Sequence, residues 1–502
     1  MKLLFKHRKL FKENLESSKV HKQAFWFTLI NYLGVAIGVV STVFVYPYDK
    51  EFLGMVRYVD SIAQMFFPFM VFGGAQALIH FYPTLSDENK KQLFKYGIFT
   101  ILAISLMILI VLVLVQPFTN WENYHYLFYA FPIGIAIAFT ELFKRQATNI
   151  ERLEMPTFFE KIIPKIALPA IFGLLIFGYL NAMNGLMAFI GAYVIMFVLI
   201  IVYVLKHFKL SSGFNFKSLF MEVPKNEYYK YSFYSFLGSF GAFLAFRIDA
   251  FMIPEFLSFE ANGTFNIGVA LATSLAIPAT GMFAIYGPKI SSLIKNDDFE
   301  ELGRKYVDIA KLLFFIGAIL YTSIVLGIDS LFQLLPTYDK LVDSIPIIVL
   351  LGANVLFNMS TGFNSEIISY SKYYRFNIVS ILILAVLNIT LNLYFLINTN
   401  LGIIGVAYAS LISMVTFNSL KLIFIYLKFG ILPFDRNYFK LIITVSLVFT
   451  VFYLIPDSSN NILNLLVKAG FSSAIILIVT YRMKWVYSFN YWVEKLFKLG
   501  KQ

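Results

Sequence analysis

The sequence predicts an all-α polytopic membrane protein of about 14 transmembrane helices, set out as two pseudo-symmetric six-helix lobes plus two C-terminal helices. Three observations predict it. Of the 502 residues, 59% are hydrophobic and only 14% are charged, against about a quarter charged in an ordinary soluble domain, and mean hydropathy is +0.73. Fourteen apolar segments can be marked along the chain. Basic residues then gather in alternate loops, the pattern that sets orientation in a membrane. A soluble core of this size cannot hide such long apolar runs, which argues against a cytoplasmic enzyme or a secreted domain.

The segments run over 24–46, 54–81, 93–116, 124–143, 162–180, 185–205, 230–252, 264–288, 307–328, 342–368, 374–396, 402–427, 438–456 and 461–481. Most are long enough to cross about 30 Å of hydrocarbon as a helix. The fifth holds Pro164, Lys165 and Pro169 and is the least regular. Strands of a membrane barrel would be about ten residues long with alternating polarity. These segments are longer and apolar all round, so helices are expected. Residues 290–306 (SSLIKNDDFEELGRKYV) read as a polar linker holding a short surface helix.

Charge places the ends. Ahead of the first span stand Lys2, Lys6, Arg8, Lys9, Lys12, Lys19 and Lys22 against Glu13 and Glu16. With that arm in the cytoplasm, the other cytoplasmic loops are basic too. Lys90, Lys91 and Lys95 follow span two; Lys144, Arg145, Arg152 and Lys161 follow span four; Lys206, Lys209, Lys217, Lys225 and Lys230 follow span six. Lys372 and Arg375 lie between spans ten and eleven, and Arg482, Lys484, Lys495, Lys498 and Lys501 close the chain. The opposite loops carry two lysines, Lys50 and Lys340, among Asp49, Glu51, Glu122, Glu255, Glu260, Asp329, Asp339, Asp343 and Asp457. Both termini are therefore expected in the cytoplasm and the protein in the inner (plasma) membrane, which requires an even span count. The net charge of +12 is read as topology, with no nucleic-acid partner. The first span lacks a cleavage pattern and is longer than a signal-peptide core, so it reads as retained.

A weak internal repeat gives the lobes. FTLINYLG (27–34) matches YSFYSFLG (231–238), Gly54 and Gly263 stand near the start of the following spans, Pro83 answers Pro288, and NGLMAFIGAY (184–193) answers NLGIIGVAYA (400–409). The offset spans six helices, so both copies enter with one orientation, a parallel repeat. The expected organisation is a cytoplasmic basic arm at 1–22, an N-terminal lobe at 23–206, a cytoplasmic linker at 207–229, a C-terminal lobe at 230–428, two additional helices at 429–482 and a basic tail at 483–502.

No nucleotide-binding glycine loop, paired-histidine metal motif or nucleophile elbow occurs. The absence of cysteine removes thiolate metal sites, disulfides and thiol nucleophiles. Neither catalysis, cofactor nor metal is expected. The informative residues are ionisable groups inside apolar spans, which are expensive in lipid and usually face a protein interior or a wet cavity. Arg57, Arg247 and Lys165 are the candidates to bind a diphosphate or other anionic group, arginine through its planar fork. Asp60, Asp249 and Glu366 are the candidates to fix those cations or to take up a coupling H+ or Na+. Arg57 and Asp60 share a helix face and form a candidate pair, whereas Arg247 and Asp249 point apart. Lys372 is a candidate partner for Glu366, and Asn354, Asn358 and Asn364 add polar groups to the same span. Against these readings stand structural ones: helix-packing pairs, a lysine that snorkels, a charge at a helix end.

The pattern resembles the bacterial polysaccharide transporter (Wzx-type lipid-linked oligosaccharide flippase) family of the multidrug/oligosaccharidyl-lipid/polysaccharide exporter superfamily. The resemblance covers about residues 20–485. It is carried by the 14-span layout, FWFTLINYLGVAIGVVSTVFVYPY, GMVRYVDSIAQMFFPFMVFGGAQALIHFYP, RIDAFMI of span seven, GPKIS of span eight and NLGIIGVAYAS of span twelve. It implies two lobes around a central cavity with alternating access. The cargo it implies is an undecaprenyl-diphosphate-linked oligosaccharide (an O-antigen, capsule or related repeat unit) moved to the periplasmic leaflet. Implied partners are that lipid, the phospholipid bilayer, a polysaccharide polymerase and other assembly proteins. Arg57 matches a span-two arginine that binds diphosphate in lipid II flippases, but span one lacks their arginine–aspartate pair and span eight their arginine. The alternatives kept open are a cation-coupled multidrug or organic-cation exporter, a lipid II flippase, and a membrane-embedded polymerase or ligase.

Overall fold

The computed structural model describes residues 33–211 and 213–499. The arm at 1–22, the first residues of the first expected span (24–32) and residues 500–502 of the basic tail lie outside them. Every regular element among the described residues is helical. Helix α1 (Leu33–Phe44) leads through a turn to α2 (Lys50–Val71) and α3 (Gly74–Phe81). Then come α4 (Asp87–Val115), α5 (His125–Asn149), α6 (Glu154–Ile176), α7 (Ala182–His207), the short α8 (Phe216–Glu222) and α9 (Lys225–Phe246). The chain continues as α10 (Asp249–Phe256), α11 (Phe259–Ser274), α12 (Ile277–Lys295), the long α13 (Phe299–Gln333), α14 (Tyr338–Leu341), α15 (Ile345–Ser360) and α16 (Asn364–Tyr370). It closes with α17 (Tyr374–Asn398), α18 (Ile403–Phe429), α19 (Arg436–Tyr453), α20 (Asn461–Asn464), a π-helical stretch (Leu465–Phe471), α21 (Ser472–Met483) and α22 (Tyr487–Leu499).

Local chemistry starts and stops these helices. The side chains of Asn181, Asn215, Ser258, Asp298, Asp435 and Asn460 accept backbone N–H groups in the first turns of α7, α8, α11, α13, α19 and α20. Gly430, left-handed at φ +68°, ends α18. Asp298 also corrects an expectation. Residues 290–306 are no independent surface helix; they are the end of α12 and the start of α13, joined by a tight turn that the Asp298 cap fixes.

Among the described residues, eight helices are long and apolar enough to cross a membrane, or up to eleven if each of three bent pairs counts as one span. The bent pairs are α2 with α3, α9 with α10 and α11 with α12, at 47°, 48° and 49°. They correspond to expected spans two, seven and eight, which read as continuous in the sequence. At the first break Phe72 and Gly73 both have positive φ, and a Cβ on Gly73 would collide with the Ser232 carbonyl of α9. Three other expected spans fall short of that test. Only twelve residues of the first are described as helix, α6 carries four charged residues, and α19 is short and basic at its start.

The chain divides into two compact units, one extending through Ser41 and from Tyr58 to Phe243, the other comprising Thr42–Arg57 and Leu244 onward. In the first, α7 packs on both α5 and α6, and α4 on α5, over buried Tyr58, Phe94, Phe143, Phe172 and Phe189. Its polar end is tied together through α8. The Glu222 carboxylate accepts from the Ser86 N–H at 2.9 Å and the Ser86 hydroxyl at 2.7 Å. Buried Lys95 donates to the Ser211 and Gly213 carbonyls, both at 3.1 Å. In the second unit, α18 packs on α15 and α17, while α13 packs on α12, α15 and α19. At the latter junction buried Lys311 pairs with half-buried Asp435 at 2.6 Å.

Candidate functional site

The break between α9 and α10 puts a carboxylate at a helix start inside a membrane-spanning region. Asp249 is the first residue of α10, where the helix dipole favours negative charge. Two elements of the same unit close on it. Asn388 and Asn392 stand four residues apart on one face of α17, and their side-chain amides donate to Asp249 Oδ1 at 3.1 and 2.6 Å. From α18 the Ser410 hydroxyl donates to Oδ2 at 3.1 Å. Both asparagines are fully buried, and in each the side-chain carbonyl oxygen has no hydrogen-bond partner.

That last feature sets what the site can do. A buried amide oxygen without a partner is destabilising by about 1–3 kcal/mol. An amide turned about its terminal torsion presents its oxygen where its nitrogen was. As the side chains stand, Asp249 faces two amide N–H groups and one hydroxyl; with both amides turned it would face two amide oxygens and the Ser410 hydroxyl oxygen. That turned set of oxygens suits a small hard cation such as Na+. Among the described residues no group of three His, Cys, Asp or Glu side chains is placed to hold a metal; in the turned arrangement one carboxylate is supplemented by neutral oxygens.

The other sequence candidates are placed as follows. Asp60 is buried in the first unit and accepts from the Tyr193 hydroxyl of α7 at 3.1 Å. Arg57 is half-buried on α2, and Arg247 is exposed at the α9–α10 break. Lys165 of α6 is half-buried, with its ammonium end packed over Gly34 of α1. Glu366 is half-buried on α16, and its charged neighbour is Lys421 of α18. No ion pair joins Arg57, Asp60, Arg247, Asp249 and Glu366 to one another, so the Arg57–Asp60 pair is not formed, nor is one between Glu366 and Lys372.

Asn388, Asn392 and Ser410 escaped the sequence reading; the run LNITLN in an apolar span was the signal for the two asparagines. Around the α15–α16 break, the sequence reading singles out Asn358 and Asn364 but not Ser365, Asn418 and Lys421. Asn364 donates to Asn418 Oδ1 at 2.9 Å, Asn418 donates to Asn358 Oδ1 at 3.2 Å, and buried Lys421 donates to the Ser365 hydroxyl at 2.7 Å. Gly362, at φ +66°, makes the break, and a Cβ there would press on Ala310.

The architecture has counterparts among solved structures. It is similar to "Lipid II flippase MurJ, inward closed conformation", with a TM-score of 0.66 at 15% identity over 91% of this chain and 98% of that one. The fold matches that of solved transporters of the multidrug/oligosaccharidyl-lipid/polysaccharide (MOP) superfamily. It is similar to an inward-facing multidrug-resistance MATE family transporter, with a TM-score of 0.58 at 14% identity over 80% of this chain and 94% of that one. An outward-facing MATE transporter gives 0.51 at 12% identity over 82% and 96%. No protein-family model matches the chain, and no curated protein matches it in sequence.

Proposed function

We propose that this chain is a cation-coupled, alternating-access transporter that moves a lipid-linked anionic substrate across the inner membrane, and that it carries out no catalysis. The observation that carries the reading is the Asp249 cluster: a carboxylate at a helix break in an apolar span, held by two buried amides and a hydroxyl, with both amide oxygens unpartnered and able to turn toward it. Groups of this kind inside a membrane mark ion pathways, and helix breaks at membrane depth occur where backbone lines a site. Binding Na+ there joins α10, α17 and α18 through one ion, so cation occupancy biases the α9–α10 bend. Proton coupling is the second form of the same reading.

For the cargo, a polyprenyl-diphosphate-linked saccharide is the class that combines a lipid tail with an anionic head. Arg57, Arg247 and Lys165 are the proposed diphosphate contacts. Lipid II is the substrate named for the solved flippase, and the fold likeness over nearly the whole chain supports that cargo more directly than the O-antigen or capsule repeat unit implied by the Wzx resemblance. Against lipid II stand the missing charges of spans one and eight. A multidrug exporter has weaker support, because the basic candidates suit anions. Both termini face the cytoplasm in this reading, where a polymerase or other assembly proteins are the prospective partners.

The test is flux in proteoliposomes. Purified protein is reconstituted with fluorescent lipid II or with an undecaprenyl-diphosphate oligosaccharide, and translocation is followed with and without a Na+ or H+ gradient. Gradient-dependent movement of either lipid supports the reading; movement of neither above empty vesicles overturns it.

A further inference from the structure

The last described helix, α22, has a surface that is exposed among the described residues. Its start is pinned: Val486 is buried, Phe489 meets Phe315 of α13 with ring centroids 4.8 Å apart, and the Asn490 amide donates to the Tyr481 carbonyl at 2.7 Å. The level of that anchor is set by neighbouring elements. Phe315 lies one turn beyond Lys311, whose ion pair with Asp435 marks where α19 begins. The apolar α21 ends at Met483, and the left-handed Lys484 at φ +53° turns the chain out of it. The helix thus begins where the apolar span that includes α21 ends and close to the start of α19.

From there Tyr487, Tyr491 and Trp492 are exposed, and the sequence runs on with Leu496, Phe497 and Leu499 interleaved with Lys495 and Lys498. From Arg482 onward there are five basic residues (Arg482, Lys484, Lys495, Lys498, Lys501) and one acid (Glu494). Tyrosine and tryptophan settle at headgroup level because one end of each ring system is apolar and the other polar. An amphipathic helix with aromatic and apolar residues among lysines lies in the interface plane, and the lysines draw it to anionic lipid.

We propose that α22 lies in the headgroup region of the leaflet that faces the chain's C-terminus and binds anionic lipid there through Lys495, Lys498 and the flanking basic residues. The occupant of its exposed aromatic surface is the bilayer itself. Binding holds the far end of the helix while Phe489 and Asn490 hold its start against α13 and α21.

The chain has no cysteine, so single spin labels can be placed in the full-length protein without background. Labels at Tyr491→Cys, Trp492→Cys and Glu494→Cys are read by power saturation against oxygen and a water-soluble nickel chelate. The vesicles are phosphatidylcholine, with or without phosphatidylglycerol. With phosphatidylglycerol, labels at 491 and 492 should favour oxygen several-fold over the chelate. Lys495→Glu with Lys498→Glu should shift both toward the chelate. Labels at 491 and 492 that favour the chelate in every vesicle, as expected if a soluble partner or a second copy covers this surface, overturn the proposal. So does an oxygen preference unchanged by phosphatidylglycerol and by the double charge reversal, which removes the anionic-lipid part.

Discussion

Gly54 and Gly263 lie against each other's helices in a reciprocal contact. A Cβ on Gly54 would collide with the Phe259 carbonyl, and a Cβ on Gly263 with the Lys50 carbonyl, each four residues before the other glycine. The Asn262 amide donates to the Gly54 carbonyl at 2.8 Å, and Lys50 pairs with Glu260 at 3.1 Å beside the crossing. These are the two glycines that the internal repeat sets in matching places. Small residues permit such close approach within a membrane.

Because backbone fills both sites, Gly54→Val and Gly263→Val should each force the start of α2 away from α11. Overpacking of this kind is destabilising by about 1–3 kcal/mol. The readout is a disulfide between Lys50→Cys and Glu260→Cys. The crosslink should form readily in the parent chain and fall several-fold with either valine; an undiminished yield would mean that the crossing is not fixed by these glycines.

Lys421 is buried with one hydroxyl acceptor, Ser365, and among the described residues no acidic group lies within ion-pairing distance of it. Exchanging a buried charge for an apolar group of similar size is often neutral or stabilising. Lys421→Met should therefore leave the melting temperature in detergent unchanged or raised. Ser365→Ala, which strips the ammonium of its acceptor, should lower stability by about 1–3 kcal/mol. A fall with Lys421→Met larger than with Ser365→Ala would contradict this assignment.

At the polar end of the first unit, pH acts through Glu222. The Ser86 N–H, and then its hydroxyl, hold the Glu222 carboxyl below its usual value. A folded value below the unfolded one means that the carboxylate contributes stability above the ordinary glutamate range, and that this is lost as pH falls through the folded value. Protection factors over 216–222, referred to the intrinsic exchange rate at each pH, should fall in acid relative to neutral pH. The fall should shrink in Glu222→Gln, which cannot titrate; an equal fall in both chains would assign the effect elsewhere.

The helices were legible because an uninterrupted apolar run of twenty residues leaves the backbone one local way to satisfy its hydrogen bonds in lipid. The bends were not. The break at Phe72–Gly73 depends on the Ser232 carbonyl of a helix more than 150 residues away in sequence, and no periodicity carries that information. Asp249 could be singled out from its setting in RIDAFMI, since charge in an apolar span needs a reason. Its partners could not, because Asn388, Asn392 and Ser410 meet it only through packing of α10 with α17 and α18. Arg57 and Asp60 show the reverse: spacing allows a pair, yet Asp60 bonds to Tyr193.

The proposed cation site should be graded by donor. Asn392→Leu removes one neutral oxygen and should weaken Na+ binding about tenfold, which corresponds to about 1.4 kcal/mol. Ser410→Ala should act in the same direction and more weakly. Isothermal titration with NaCl in detergent measures both, and unchanged affinity in Asn392→Leu would remove the amide from the site.

The most direct measurement is lipid-linked saccharide flux in proteoliposomes with a Na+ or H+ gradient, comparing the parent chain with Asp249→Asn, which keeps the size of the side chain and removes its charge. Gradient-driven flux should be present in the parent and fall at least tenfold in Asp249→Asn, while thermal stability and insertion are retained. Equal gradient-driven flux in the two folded proteins would contradict the assignment of Asp249 as the coupling residue.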